Sequence, residues 1–192
     1  MTLLNCSNLC LAVAASVFLA AATPVQAAPA QWRVDAKASR VGFNGTYSGA
    51  AFNGTFKRWT ADIKFDPADL AHSSISATFD TASAATGDKL QETSLAGAEW
   101  FDSARQPKAT LVSKSIRRVG PDRYEADAVL TIKGKGYPTR LPFTVSITGR
   151  TAVAKGQVTL DRVRLDLGMK SDPGAAWVSR NINVSFVISA SR

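Results

Sequence analysis

The chain has 192 residues, 45% hydrophobic and 20% charged, with 23 Lys and Arg against 15 Asp and Glu, a formal net charge of +8. Its two cysteines are Cys6 and Cys10, so everything downstream lacks a disulfide framework, a thiol nucleophile and a Cys-ligated metal. Beyond the first apolar run, no stretch approaches the roughly 20 residues that cross a bilayer as a helix.

That first run, Leu11 to Ala22, is too short to span a membrane and is followed by Pro24 and then Val25-Gln26-Ala27. The pattern predicts a secretory signal peptide over residues 1–27, cleaved after Ala27, and an exported domain over 28–192. Two features depart from common leaders. The segment before the apolar run has no Lys or Arg, and Cys10 precedes that run instead of closing it, which argues against a lipid anchor. The leader carries no charge, so the whole +8 belongs to the domain. Such a surplus favours anionic partners such as lipid head groups or acidic proteins, and export argues against nucleic acid. The basic residues are scattered (Lys57-Arg58, Arg117-Arg118, Lys133, Lys135, Arg140, Arg162, Arg164), which reads equally well as a solvated surface.

From Gln31 onward the dominant period is two. Val41-Gly-Phe43, Phe52 to Phe56, Ile63-Lys-Phe65 and Ile75 to Phe79 alternate an apolar or Gly face with a polar one. Ala126 to Ile132, Leu141 to Ile147, Val153 to Leu160 and Ile182 to Ile188 continue the series, giving about eight strands. Asp66-Pro67, Gly120-Pro121-Asp122, Gly134-Lys-Gly136 and Asp172-Pro-Gly174 supply turns. The near-repeat Phe43-Asn-Gly-Thr-Tyr47 and Phe52-Asn-Gly-Thr-Phe56 contains two Asn-Gly pairs, yet turns at both would leave strands too short. One hairpin turning at Ser48-Gly-Ala50 fits better, with Gly45 and Gly54 inside strands. Thr86 to Leu95, ending at Gly97, breaks the β rhythm and reads as a short helix with its loop. The fold expected is all-β, an up-and-down antiparallel barrel with one short helix between middle strands; a two-sheet sandwich is the alternative.

Candidate chemistry is sparse. His72 stands alone in the polar loop from Asp66, with nothing to place it beside a particular Ser or Asp. No nucleophile elbow, zinc motif, phosphate loop or calcium loop occurs, so no enzyme, cofactor or metal is expected. Asp161 and Asp166 alternate with Arg162 and Arg164, which reads as surface ion pairing, as do Asp122, Glu125 and Asp127. The inward face carries Phe43, Phe52, Phe56, Phe79, Leu130, Ile132, Phe143, Val145, Ile147 and Phe186. A barrel of this size is either packed solid or holds one ligand, and the period is the same in both cases. Interior Gly42, Gly54, Ala77 and Ala128 remove volume and lean toward a cavity.

Taken in order, Trp32-Arg-Val-Asp35, Ser39 to Phe43, Phe65-Asp66, Thr86-Gly-Asp88, Trp100-Phe-Asp102, Pro107-Lys-Ala-Thr, Leu130 to Gly134, Leu141-Pro-Phe143 and Arg162 to Gly168 resemble the YceI-like family from about Gln31 to Ala190. The Glu99-Trp-Phe-Asp and Leu-Pro-Phe wording is similar to the branch found beside cytochrome b561-type membrane proteins. The resemblance implies an extended lipocalin-like barrel, exported to the periplasm, whose hydrophobic tunnel takes a polyisoprenoid or other long-chain lipid. The ten inward residues above would then line the tunnel. In that branch the implied ligand is a prenylated quinone and the implied partner a cytochrome b561-type protein; a homodimer is compatible with the pattern. Many relatives carry Arg-Asp-x-His at the start of the helix. Here the stretch is Gly87-Asp88-Lys89, which leaves Lys89 as the one cationic substitute for holding a head group.

Overall fold

The computed structural model describes residues 29–192, and the leader expected over 1–27 lies outside the described residues. Eleven strand segments follow in order. They are β1 (Gln31–Val34), β2 (Arg40–Tyr47), β3 (Ala50–Phe56), β4 (Trp59–Lys64), β5 (Ser74–Asp80), β6 (Ala84–Ala85), β7 (Lys108–Arg118), β8 (Arg123–Ile132), β9 (Lys135–Thr148), β10 (Thr151–Asp161) and β11 (Asn181–Ser191). One helix, α1 (Lys89–Ala96), separates β6 from β7. All pairings are antiparallel, in the order β1-β4-β5-β7-β8-β9-β10-β11-β2-β3-β6, and β1 pairs with β11 through Arg33↔Ser191 and Val34↔Ala190. That last pairing closes the sheet into an eight-strand barrel and excludes the sandwich. Closure leaves no long exposed edge for another chain to pair with.

Three barrel strands are split. β1 and β2 run along the same flank of β11, interrupted over 35–39; β3 and β4 are parted at 57–58, and β5 and β6 by a 3-10 turn, Thr81–Ser83. The eight strands expected from periodicity are therefore not the eight observed. The Phe52 and Ile63 segments belong to one barrel strand, whereas β7 escaped notice. Its cause is a bulge: the register with β8 shifts between Ser113 and Ser115, so Ala109 and Leu111 point inward before the shift and Ile116 after it. An extra residue breaks the period on which strand reading depends.

Turn chemistry sets the register. Ser48 and Gly49 have φ of +49° and +80°, the pair of positive values that a two-residue turn needs to match the strand twist. The Phe-Asn-Gly near-repeat then pairs with itself: Phe43 stands opposite Gly54, Asn44 opposite Asn53, and Gly45 opposite Phe52. Neither Asn-Gly makes a turn. The β8–β9 turn falls at Lys133-Gly134, with Gly136 already in β9.

One end of the barrel is packed shut. Trp32, Phe65, Tyr124, Phe143, Leu141 and Val145 form a buried cluster, in which the Trp32 indole N–H donates to the Phe65 carbonyl at 2.9 Å. Phe65 meets Tyr124 edge-on at 5.1 Å and Tyr124 stacks on Phe143 at 5.6 Å. The short connections 119–122 and 149–150 lie at this end. The long ones, 81–107 with α1 and 162–180, lie at the other with the Ser48-Gly49 turn.

Candidate functional site

Between the closed end and the long loops the inward side chains leave an apolar cavity of about 740 Å³. A train of rings follows its wall. Phe52 and Phe43 are 6.4 Å apart, Phe43 and Phe56 5.4 Å, Phe56 and Phe79 5.4 Å, and Phe56 and Phe101 6.0 Å, all tilted or edge-on as ring quadrupoles prefer. Space arises where the wall lacks bulk. Ala61 and Ala77 face each other across β4 and β5, and Ala154 lies on β10. Glycines also seat the rings. A Cβ on Gly54 would lie 2.2 Å from Phe43 Cζ, and one on Gly156 would lie 2.3 Å from Phe186 Cζ.

Of the ten residues expected to line a tunnel, nine stand in this wall: Phe43, Phe52, Phe56, Phe79, Leu130, Ile132, Phe143, Val145 and Phe186. Ile147 does not. It lies near the end of β9, beyond the cavity, and packs against the closed-end cluster. Lys89 is also outside the wall, on the exposed first turn of α1 between the wall residues Asp88 and Leu90. Among the small residues expected inside, Gly54 and Ala77 are in or against the wall and Ala128 is buried. Gly42 faces outward, because Val41 and Phe43 on either side of it point in.

The residue that periodicity misplaced most is Arg162. Expected on the surface, it is 1% exposed and forms part of the cavity wall. Its guanidinium donates to the carbonyls of Leu167 (2.8 Å), Asp172 (3.1 Å) and Val178 (3.0 Å) and to the Asp172 carboxylate at 2.5 Å. Its Cζ lies over the Trp100 ring, 5.4 Å from the centroid. Asp172 in turn accepts from the N–H groups of Ala176, Trp177 and Val178. Burial raises the Asp172 pKa, but those three donors and the Arg162 charge outweigh it, and the carboxyl titrates below its ordinary value. Arg162 thus acts as the internal frame of the 162–180 loop, with its donors consumed by that loop. Asp161 pairs with Arg180 at 2.9 Å and Asp166 with Lys135 at 2.9 Å, so neither pairs with the side chain of Arg162 or Arg164. Glu125 with Arg117 and Asp127 with Arg140 are surface pairs as expected.

Gly168, at φ +71°, lies against the Trp100 indole where a Cβ would come within 2.8 Å. Glu99 ties the two long loops together by accepting from the N–H groups of Lys170 and Ser171 and from the Ser171 hydroxyl. The segment 177–179 is fastened to β2 by Ser48 N–H to the Trp177 carbonyl (2.7 Å) and Ser179 N–H to the Thr46 carbonyl (2.9 Å). These contacts define a mouth. Tyr47, Leu90 and Trp177 all line the cavity, yet are 49%, 78% and 60% exposed. Thr139 stands in the wall on β9, whereas Thr86, Asp88, Gln91 and Ser94 gather around α1 and Ser171 comes from the loop on the same side. Trp100, Phe101 and Trp177 had no periodic signal because they sit in loops.

His72 lies at the opposite end of the barrel, in the β4–β5 connection, where its Nδ1 meets the Asp69 carboxylate at 2.9 Å. The neighbouring Ser73 hydroxyl donates to the Asp69 carbonyl at 2.8 Å. Among the described residues no group of three or more His, Cys, Asp or Glu is placed to hold a metal ion, and no helix is long and apolar enough to cross a membrane.

Comparison with known proteins agrees with this geometry. The family model of the YceI-like domain matches residues 32–190. A UPF0312 protein of Pseudomonas savastanoi pv. phaseolicola is 27% identical over 159 residues, covering 80% of this chain and 78% of that protein. Protein YceI of Escherichia coli O157:H7 is 30% identical over 88 residues, 46% of each chain. Among solved structures, BcnA of Burkholderia cenocepacia superposes with a TM-score of 0.79 at 33% identity, over 83% of this chain and all of that one. A polyisoprenoid binding domain from Saccharophagus degradans, implicated in plant cell wall breakdown, gives 0.61 at 15% identity, over 85% of this chain and 98% of that one. At that identity the likeness is one of fold.

Proposed function

The chain belongs to the YceI-like domain family, and from that premise we propose that it is a non-catalytic carrier holding one long-chain isoprenoid lipid inside the barrel. The observation that carries this reading is the cavity of about 740 Å³, walled by phenylalanine and aliphatic side chains and open at one end. Its volume falls in the range of roughly 300–1,000 Å³ typical of small-molecule sites. The Saccharophagus domain that shares the fold is a polyisoprenoid binding domain, which supports this ligand class.

An apolar wall recognises a tail by burial, worth roughly 0.8 kcal/mol per CH₂ before the costs of ordering and association. Such binding tolerates different tails and leaves selectivity to the mouth. A prenylated quinone fits this division, its ring resting beside Thr86, Asp88 and Gln91 at the rim. The apolar run and small residues of 11–27 support export, and with it a periplasmic site of action.

The test is extraction of the purified protein with organic solvent, followed by mass spectrometry. A prenyl lipid recovered from the wild type, and lost from a variant whose cavity is filled by Ala77→Phe, is the expected result. A protein that yields no lipid, and binds neither ubiquinone nor polyprenol when offered them, would overturn the proposal.

A further inference from the structure

Seven large hydrophobic residues are exposed on the described surface. Four of them, Val112, Val119, Val153 and Val187, stay outside the cavity wall. The remaining three, Tyr47, Leu90 and Trp177, come from three separate elements and all stand on the cavity mouth. A large apolar side chain left facing water at the opening of an apolar cavity carries a solvation cost that is relieved when something apolar meets it.

The charges around this rim are arranged unevenly. Asp88, Glu92 and Glu99 accept backbone N–H groups, while Asp102, Asp166 and Asp172 hold Arg105, Lys135 and Arg162. The carboxylates at this end are thus engaged within the protein. The side chains of Lys89 on α1 and of Arg164 and Lys170 on the 162–180 loop are exposed. Among the described residues they make no hydrogen bond or ion pair, so they are free to reach outward. An aromatic and aliphatic tripod flanked by free cations has the chemistry of a membrane interface, where Trp and Tyr settle at head-group depth and Lys and Arg meet anionic lipid.

We propose that the mouth rim of Tyr47, Leu90 and Trp177, flanked by Lys89, Arg164 and Lys170, docks on the surface of an anionic phospholipid bilayer. The inference rests on the lipid-carrier reading, since docking in this orientation presses the cavity opening against the membrane. A tail then passes between bilayer and barrel without crossing water.

The experiment is co-sedimentation of the full chain with vesicles, either pure phosphatidylcholine or with a quarter of the lipid as phosphatidylglycerol. Binding to the mixed vesicles is expected to exceed that to phosphatidylcholine by roughly tenfold or more and to weaken as salt rises. Leu90→Glu with Trp177→Ser should abolish it. Arg164→Glu with Lys170→Glu should reduce it by roughly an order of magnitude while leaving extractable lipid in the barrel unchanged. Equal binding to both vesicle types, or binding that survives the rim variant, would overturn the proposal. No binding to either would also overturn it and assign the rim to a protein partner. Vesicle binding and extractable lipid are separate readouts, so an empty cavity and an undocked rim are told apart.

Discussion

Arg162 shows how much one side chain decides. Long loops expose backbone polar groups that must find partners, and the 162–180 loop turns six of its own backbone groups onto one guanidinium and one carboxylate. Breaking a buried pair strands the surviving partner. Arg162→Met is therefore expected to destabilise the protein by about 3 to 5 kcal/mol, read as a lowered urea midpoint; a midpoint within error of wild type would contradict the assignment. Asp172 makes the same frame sensitive to acid. Its pKa is depressed in the fold, so the unfolded chain takes up that proton more readily. The stabilisation is complete above the ordinary carboxylate value and is lost as pH falls through the folded one. Asp172→Asn should flatten the loss of stability in that acid window, and an unchanged slope there would count against it. At Gly156 the constraint is steric. A Cβ would meet Phe186 and, 2.5 Å away, the Pro142 carbonyl, which cannot swing aside. Gly156→Ala should cost about 1 to 3 kcal/mol by the same measurement.

Elements differ in how openly their sequences announce them. β8 alternates without interruption from Tyr124 to Ile132, and periodicity finds it at once. β7 hides behind a bulge, and β3 and β4 read as two strands because the chain kinks at 57–58 within one. The Phe-Asn-Gly repeat was legible as strand only because two turns so close together would leave no strand length; its physical purpose, each ring over the other copy's glycine, needed the register. α1 was announced by its broken β rhythm and by Gly97 at its end, and its N-terminal cap emerged only in the structure. Asp88 caps the N–H groups of Leu90 and Gln91, and Gly97 follows the last turn. The helix buries none of its residues, so it is a cover held by its cap and by Glu92 rather than a part of the core. Asp88→Ala should cost the helix about 1 kcal/mol and speed amide exchange over 89–96, while the barrel midpoint barely moves. Exchange confined to wild-type rates would show that other contacts hold the cover.

For the whole molecule, the sequence spoke clearly about the barrel and about nine of the ten wall positions, because alternation reports which way a strand residue points. On whether the centre is filled it gave only a lean, through small inward residues such as Gly54 and Ala77. Phenylalanines pack a solid core and line a hollow one with the same period, and the difference lies in Ala61, Ala77 and Ala154 coinciding on the wall. It was silent on the mouth, which is built from loops and has no period. Carrying a lipid requires all three parts: a shut end, a dry wall and one opening. The most direct test is native mass spectrometry of the protein as isolated. The account predicts a peak heavier than the polypeptide by one isoprenoid lipid, absent from Phe143→Asp and from Ala77→Phe. A single peak at the polypeptide mass, unchanged after incubation with polyprenol or ubiquinone, would contradict it.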